Sequence, residues 1–272
     1  MPLVPAPGAP VERADDPEIE LTDPEPLEDD GARMSFLEHL DELRKRLIHS
    51  ALAILVGCGI AFTFLHRVID FLTLPMRRML PEGGDLVATA PSEYFFLYIK
   101  LALLVGLFIA LPVVMLQVWL FIAPGLYAHE KRLAVPFVAM SSVLFTIGAA
   151  FSHYVAFPWT WQFFMDFMPE YVRPMIKLGD AFSLYVKMVL AFGVIFQMPT
   201  VVLFLARMGV VTAGFLARRT KYAVLIIFIL AAVLSPGGDV VSQALMAGPM
   251  LVLYALSIGI AWLFGKRQPA AD

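Results

Sequence analysis

Acidic and basic side chains are concentrated in one short stretch of the chain, SFLEHLDELRKRL, which runs from Ser35 to Leu47. Six of the nine residues from Glu38 to Arg46 are charged, whereas only 16% of the whole chain is. A further acid, Glu130, stands next to two bases in the string AHEKR. Carboxylates bind guanidinium groups in planar, two-bond geometry, so these acids could bind a cationic ligand. A local salt bridge is the other interpretation of Glu130.

The sequence lacks the motifs of the common enzyme classes. It contains no G-x-x-x-x-G-K-[ST] phosphate loop and no G-x-S-x-G nucleophile motif, and AHEKR only approaches the H-E-x-x-H zinc pattern. The single cysteine, Cys58, excludes an internal disulfide and a cysteine metal cluster. No nucleophile and base lie at a similar depth, which argues against an intramembrane hydrolase. We therefore expect a protein that binds or transports, with no enzymatic activity, cofactor or metal.

The composition is that of an integral membrane protein. Hydrophobic residues make up 60% of the 272 positions, and the mean hydropathy is +0.77. A soluble globule of this size could not bury so much apolar surface. The net charge of -3 averages an acidic tail with basic loops and gives no indication of nucleic-acid binding.

The first 33 residues have a different composition from the rest of the chain. They contain ten acids and seven prolines but no apolar core. Such a segment cannot offset the entropy of folding, so we predict a disordered, acidic, Pro-rich cytoplasmic tail and no cleavable signal peptide. The predicted division is a tail over 1–33, a membrane domain over 34–268 and a short cytoplasmic tail over 269–272.

Six apolar stretches predict an all-α membrane protein. They lie near Leu47–Leu65, Tyr94–Val118, Leu133–Phe157, Phe182–Ala206, Tyr222–Leu234 and Val240–Phe264. About 20 helical residues are needed to cross a bilayer, and the 13 residues of the fifth stretch reach only about 20 Å. That stretch is either part of a re-entrant hairpin or a short span in a thinned bilayer. Prolines such as Pro158 and Pro199, in or at the ends of spans, predict bent helices.

The basic residues predict the orientation of the chain. If all six stretches cross, eleven bases lie on the side of the tail and five on the other side. The eleven are Arg44, Lys45, Arg46, Lys131, Arg132, Arg207, Arg218, Arg219, Lys221, Lys266 and Arg267, and the five are Arg67, Arg77, Arg78, Arg173 and Lys177. The positive-inside rule therefore places both termini in the cytoplasm.

The charged stretch from Ser35 to Leu47 is predicted to form a helix at the membrane surface. Ser35 and Glu38 form a capping box, which predicts where the helix begins. Four residues at helical spacing form an apolar stripe, Phe36, Leu40, Leu43 and Leu47. An interfacial anchor explains this stripe and the three bases. It does not explain the acids, because carboxylates gain nothing from an anionic membrane surface.

Two polar residues near the later spans also need an explanation. Gln197, in AFGVIFQMPT, lies near the middle of the fourth span. It either bonds a carbonyl freed by Pro199 or has a functional role facing a cavity or a partner. Asp239 precedes the sixth span, where capping of that helix is favoured over ligand binding.

Five strings, in order, resemble the TatC family, the multi-spanning receptor of the twin-arginine protein translocase. They are HLDELRKRL, APSEYFFLYIKLALLVG, ALPVVMLQVWLFIAPGLYAHEKR, AFGVIFQMPT and DVVSQALMAGPM, and the similarity runs from about Met34 to Gln268. The resemblance implies a concave, glove-like bundle of six helices with both termini cytoplasmic and short fifth and sixth helices. It favours a true short fifth span over the hairpin.

The resemblance also implies a function. Members of the family recognise twin-arginine signal peptides on folded precursor proteins in the bacterial inner membrane. They work with TatA and TatB, which are single-span proteins, and export is driven by the proton motive force. The resemblance further implies self-association in the receptor complex. A small-solute permease, with Gln197 lining the substrate path, is the alternative interpretation.

Site residues follow from the resemblance one by one. Glu42, Arg44 and Leu47 match the amino-terminal part of the family's signal-peptide surface, and Phe121 and Glu130 match its first cytoplasmic loop. Two further residues match other regions, the intramembrane polar position at Gln197 and the partner-docking region at Gln243. Many members carry Glu at the position of Gln197, and this chain has an amide there in place of a titratable carboxylate.

Overall fold

A computed structural model describes residues 36–78, 85–122, 134–169, 171–172, 174–235 and 239–265. The predicted capping residue Ser35, the acid Glu130 and both predicted tails lie outside these residues. Contacts group the chain into residues 1–39 and residues 40–272. Of the first group, only the four residues that begin the first helix are described.

Helices account for most of the described chain. The first half forms α1 (Phe36–Phe62), α2 (Leu65–Arg78), the strand β1 (Asp85–Val87), α3 (Pro91–Ile122) and α4 (Ala134–Phe151). A π-helical turn (Ser152–Ala156) leads into α5 (Phe157–Asp166), followed by the strand β2 (Met175–Lys177). The second half forms α6 (Leu178–Ile195), α7 (Met198–Arg207), α8 (Ala213–Arg218), α9 (Thr220–Leu234) and α10 (Val240–Phe264).

Five stretches of the described chain are long and apolar enough to cross a membrane. They are Leu37–Phe62, Pro91–Ile122, Val135–Asp166, Leu178–Arg207 and Val240–Phe264. The third and fourth of these each consist of two helices, because the π turn precedes Pro158 and a break at Phe196 and Gln197 precedes Pro199. The helices are therefore interrupted beside Pro158 and Pro199, whereas Pro112 and Pro249, which were expected to bend their helices too, lie inside the continuous helices α3 and α10.

The fifth predicted span is the short helix α9, which has 15 residues. The helix α10 has 25 residues, which corrects the expectation of a short sixth helix. At 1.5 Å per residue, α10 reaches roughly 37 Å and α9 only about 22 Å.

Two features were not predicted from the sequence. The helix α2 is amphipathic, and it buries Leu65, Ile69, Leu72 and Met76 against the bundle. The strands β1 and β2 form a parallel pair, with Leu86 opposite Ile176. This pair joins the connection before α3 to the connection before α6. Pairing between segments so distant in sequence leaves no local periodicity that could predict it.

The core lies between α3, α6 and α10 together with the π turn and α5. Its fully buried side chains include Leu101, Phe157, Phe182, Phe192 and Met250. The helix α10 packs mainly against α7 and α9, and α4 packs mainly against α3 and α6. The helix α1 is the least buried of the five spans.

The helix α1 meets α3 at a close crossing of two glycines. A Cβ atom on Gly57 would lie 2.4 Å from the carbonyl oxygen of Gly106, and one on Gly106 would lie 2.5 Å from the amide nitrogen of Cys58. Only residues without a side chain allow backbones to approach this closely. The glycine pair therefore sets how near the two helices come.

We expect Gly57→Leu to push α1 away from α3 and to lower the thermal unfolding temperature in detergent. Overpacking typically costs about 1 to 3 kcal/mol, and here the obstacle is backbone that cannot rotate aside. The matched control is Gly59→Leu on the same helix, because a Cβ at Gly59 meets nothing within 4 Å. Equal unfolding temperatures for the two variants would show that the crossing does not limit the approach of α1.

Candidate functional site

The two faces of α1 have different surroundings: the apolar face points away from the bundle and the face with Glu42 and Arg46 points toward it. The amphipathic pattern did not predict this orientation. The three leucines of the apolar stripe, Leu40, Leu43 and Leu47, are exposed on the outside of the bundle, and Leu47 has 66% of its surface accessible. The face toward the bundle carries Glu42 and Arg46 near its start. Lipid is an apolar solvent, so leucines can face outward while polar side chains seek partners within the protein.

A chain of polar contacts joins α1 to α3. Nη2 of Arg46 lies 3.0 Å from Oε1 of Glu42, one turn earlier on the same helix. Nη1 of Arg46 donates to Oε1 of Gln117 on α3, at 3.3 Å. The side chain of Glu42 is 16% exposed and that of Arg46 is 31% exposed. This arrangement is a partly desolvated ion pair held by an amide from a second helix.

The ion pair leaves hydrogen-bonding capacity unused. Oε2 of Glu42 and Nε of Arg46 are both buried, and neither has a hydrogen-bond partner within the described part of the chain. A buried polar atom without a partner typically costs about 1 to 3 kcal/mol. Glu42 thus presents a carboxylate oxygen that a donor from a ligand could satisfy.

The neighbouring ion pair on α1 is of a different kind. Asp41 and Lys45 lie 2.7 Å apart, but their side chains are 54% and 68% exposed. Solvated pairs of this type contribute little to stability. Two carboxylates adjacent in sequence therefore differ in environment, and only Glu42 faces the bundle.

The predicted site residues fall into three groups. Arg44 and Leu47 are exposed, on faces of α1 that point away from Glu42. Phe121 is half-buried in the last turn of α3, one turn beyond Gln117, so it lies on the same side of that helix as the amide that contacts Arg46. The structure brings Phe121 and Glu42 toward a common region and leaves Arg44 and Leu47 on the periphery. Glu130 lies outside the described residues and remains a prediction.

Aromatic packing fixes the end of α3 that carries Gln117 and Phe121. The ring of Trp119 lies 5.0 Å from that of Phe137 on α4 and 4.9 Å from that of Phe204 on α7. Its indole Nε1 donates to Oγ of Ser141 on α4, at 2.8 Å. Burial of all three rings and the satisfied indole N–H give this aromatic cluster a single geometry. The end of α3 that carries the site is thus packed against both α4 and α7.

Sequence reasoning missed Gln117 and Arg46 as parts of the site. A lone Gln in an otherwise apolar span indicates a polar partner nearby, and that signal was available at Gln117. The spacing of four residues between Glu42 and Arg46 also predicts a helical ion pair. Only the position of α3 shows that the two signals belong together.

Gln197 has a structural position at the break between α6 and α7. Its Nε2 donates to the carbonyl of Ser141 on α4 at 3.0 Å and to that of Gly193 at 3.4 Å. The backbone N–H of Gln197 bonds the carbonyl of Val194, which leaves that of Gly193 without its usual helical donor. The side chain therefore satisfies a carbonyl freed at the break and links it to α4. A functional role for Gln197 stays a prediction.

The start of α10 confirms one local prediction. The carboxylate of Asp239 accepts hydrogen bonds from the backbone N–H groups of Val241 and Ser242, as an N-cap does. The hydroxyl of Ser242 also donates to this carboxylate, and that bond, followed by the backbone bonds, lowers the pKa of Asp239. Further along the helix, Nε2 of Gln243 donates to the carbonyl of Phe228 on α9, at 2.8 Å.

Among the described residues, no three His, Cys, Asp or Glu side chains come close enough together to hold a metal ion. The fold and the site together define a multi-pass helical membrane protein with a partly desolvated acid facing its bundle. The chain belongs to the TatC family, because a family model described as "Sec-independent protein translocase protein (TatC)" matches residues 38–249.

Relatives and solved structures agree with this assignment. The chain is 42% identical to the TatC protein of Desulforapulum autotrophicum over 237 residues, which cover 87% of each chain. It is 40% identical to that of Aquifex aeolicus, over 86% of this chain and 98% of the relative. A crystal structure of the twin arginine translocase receptor TatC superposes with a TM-score of 0.74 at 41% identity, over 82% of this chain and 99% of that one.

The family fixes the architecture and the general role. The chain is a multi-pass membrane protein with a six-span, all-α fold, in which the fifth span is short. It is a component of a protein translocase and has the receptor role in the twin-arginine system.

Proposed function

We propose that this chain binds twin-arginine signal peptides of folded precursor proteins at the surface where α1 and α3 meet. The observation that carries the proposal is the carboxylate of Glu42, which is mostly buried, faces α3 and keeps one oxygen without a partner among the described residues. A guanidinium group is a ligand that matches such an oxygen in charge and geometry.

The predicted residues have separate roles in this proposal. Glu42 and Glu130 each accept one arginine of the signal peptide. Phe121 contributes apolar and aromatic surface beside the arginine, as aromatic rings do for guanidinium groups. Arg44 and Leu47, which are exposed on α1, contact the flanking parts of the peptide.

The partners proposed for export are TatA- and TatB-type single-span proteins, with energy from the proton motive force. Support comes from α9, whose outward face is a row of exposed apolar side chains that includes Leu225, Ile229 and Val233. A short helix with such a face suits the packing of another membrane helix. Gln243 binds the backbone of this helix and so holds the proposed docking region in place.

The proposed location is the bacterial inner membrane, with both termini in the cytoplasm. The eleven bases on the side of the termini, against five on the other side, support that orientation. In this arrangement residues 1–33 form an acidic cytoplasmic tail, residues 34–268 the membrane domain and residues 269–272 a short tail.

The experiment that tests the proposal is peptide binding to the purified full chain in lipid vesicles. A peptide with two consecutive arginines is expected to bind, and the same peptide with two lysines is expected to bind at least tenfold more weakly, because lysine cannot form two-bond contacts. Equal binding of the two peptides would refute recognition of the arginine pair. Flux of a small solute through vesicles that hold this chain alone would favour a permease.

A further inference from the structure

We infer that Arg46 acts as an internal substitute for a ligand arginine on Glu42, and that Gln117 is a positioning residue that keeps Arg46 from occupying Glu42 fully. This inference rests on the proposed function, because it concerns the carboxylate at which a signal arginine is proposed to bind. It assigns separate roles to Arg46 and Gln117, which the family assignment alone does not provide.

The geometry of the Arg46 guanidinium carries the inference. Arginine and carboxylate ordinarily form two parallel hydrogen bonds, in which both carboxylate oxygens accept. Here only Nη2 reaches Glu42, and it reaches only Oε1. Nη1 is instead directed to Oε1 of Gln117 on the neighbouring helix.

Two polar atoms of this ion pair have no hydrogen-bond partner within the described chain. Oε2 of Glu42 and Nε of Arg46 are both buried and lack partners in the described ranges. The two unused groups are an acceptor and a donor, which a two-bond pair between these side chains would draw upon. The contact of Nη1 with Gln117 fixes the orientation of the guanidinium, and in that orientation Nη2 reaches Oε1 while Nε and Oε2 do not bond each other.

Competition for Glu42 follows from this arrangement. Because Oε2 is buried, a ligand arginine reaches Glu42 only if side chains move, either to expose Oε2 or to release Arg46 from Oε1. Both events are easier when Arg46 is bonded to Gln117, since Arg46 then keeps a partner after it leaves Glu42. Without Gln117, Arg46 could rotate into the two-bond pair and close the site.

The neighbouring charges do not provide this effect. Lys45 pairs with Asp41 in solvent, and Arg44 is exposed on another side of α1. A solvated lysine also lacks the planar fork that lets arginine contact two acceptors at once. Arg46 is thus the base on this helix that is placed to imitate the ligand.

The test compares binding of the twin-arginine peptide to the full chain and to Gln117→Leu in lipid vesicles. We expect Gln117→Leu to weaken binding about threefold to tenfold, which corresponds to the typical net value of one hydrogen bond. We expect Arg46→Gln to bind the peptide at least as tightly as the unmodified chain. Adding Gln117→Leu to Arg46→Gln should then cause no further loss.

The variant with both Gln117→Leu and Arg46→Gln distinguishes two roles of Gln117, the orientation of Arg46 and the packing of α1 against α3. If Gln117 only holds α1 against α3, Gln117→Leu will weaken binding equally with and without Arg46, and the inference fails. It also fails if Gln117→Leu binds like the unmodified chain. Gln162→Leu, an exposed position on α5, is the control for a Gln-to-Leu change.

Two further outcomes are decisive. If Arg46→Gln does not fold, Arg46→Lys takes its place, and the effect of Gln117→Leu should shrink in that background, because lysine lacks the fork. An effect of unchanged size would overturn the inference. If the unmodified chain does not distinguish arginine from lysine peptides, the proposed function itself fails, which is a different result from binding that Gln117 does not influence.

Discussion

Replacing Glu42 by glutamine is expected to weaken binding of a twin-arginine peptide by about 2 kcal/mol or more, which is roughly 30-fold in Kd. Glutamine keeps the size of the side chain but removes the charge and one acceptor. The expected loss is large because the Glu42 carboxylate is mostly buried, so water does not replace the missing attraction. Isothermal titration or fluorescence anisotropy with the chain in lipid vesicles measures it.

The control for this prediction is Asp41→Asn, one residue away. Its carboxylate is exposed and paired with Lys45, so the change should alter the Kd less than threefold. Thermal unfolding of both variants checks that the loss of the partner of Arg46 has not disturbed the fold. Equal effects of the two substitutions would indicate that net charge on α1, and not the environment of Glu42, governs binding.

Replacing Trp119 by alanine is expected to lower the free energy of unfolding by about 2 to 3 kcal/mol. The indole fills the space between α3, α4 and α7, and its removal leaves a cavity and an unpaired Ser141 hydroxyl. The value is below that for a soluble core because lipid tails are as apolar as the bundle interior, so mainly packing is lost. Thermal or denaturant unfolding in detergent is the measurement.

Two control variants make this prediction specific. Trp262→Ala removes an indole that is 77% exposed at the surface of α10 and should have little effect. Trp119→Phe keeps most of the ring but removes the hydrogen bond to Ser141, so it should cost about 1 kcal/mol. If Trp119→Ala is as stable as Trp262→Ala, the aromatic cluster does not hold the three helices together. Peptide binding should fall with stability, because the cluster supports the end of α3.

Local chemistry made part of the fold predictable. Five of the six predicted spans follow from apolar runs long enough to cross a bilayer, and all five appear as candidate spans, whereas the fifth stretch forms the short helix α9. Asp239 caps α10 as expected, because an N-cap depends only on the residue and the next three positions. The interruptions of the helices before Pro158 and Pro199 likewise have a local cause.

Other elements could not be predicted in this way. The helix α2 was not predicted, because its 14 residues are too few to cross a bilayer and it lies in the connection between two spans. The strands β1 and β2 have three residues each, which is too short for a period to show. The approach of Gly57 to Gly106 joins two helices that carry many other small residues, so their spacing does not select the contact.

The site shows the same division between local and tertiary causes. The amino-acid pattern alone indicated the membrane class, the number of spans and the family resemblance, and the resemblance singled out Glu42 among the acids that an anchor does not explain. The outward position of Leu40, Leu43 and Leu47, and the position of Glu42 and Arg46 toward α3, could be seen only in the folded chain. The physical reason is that a helical pattern fixes which residues share a face, whereas the partner of that face depends on how distant helices pack.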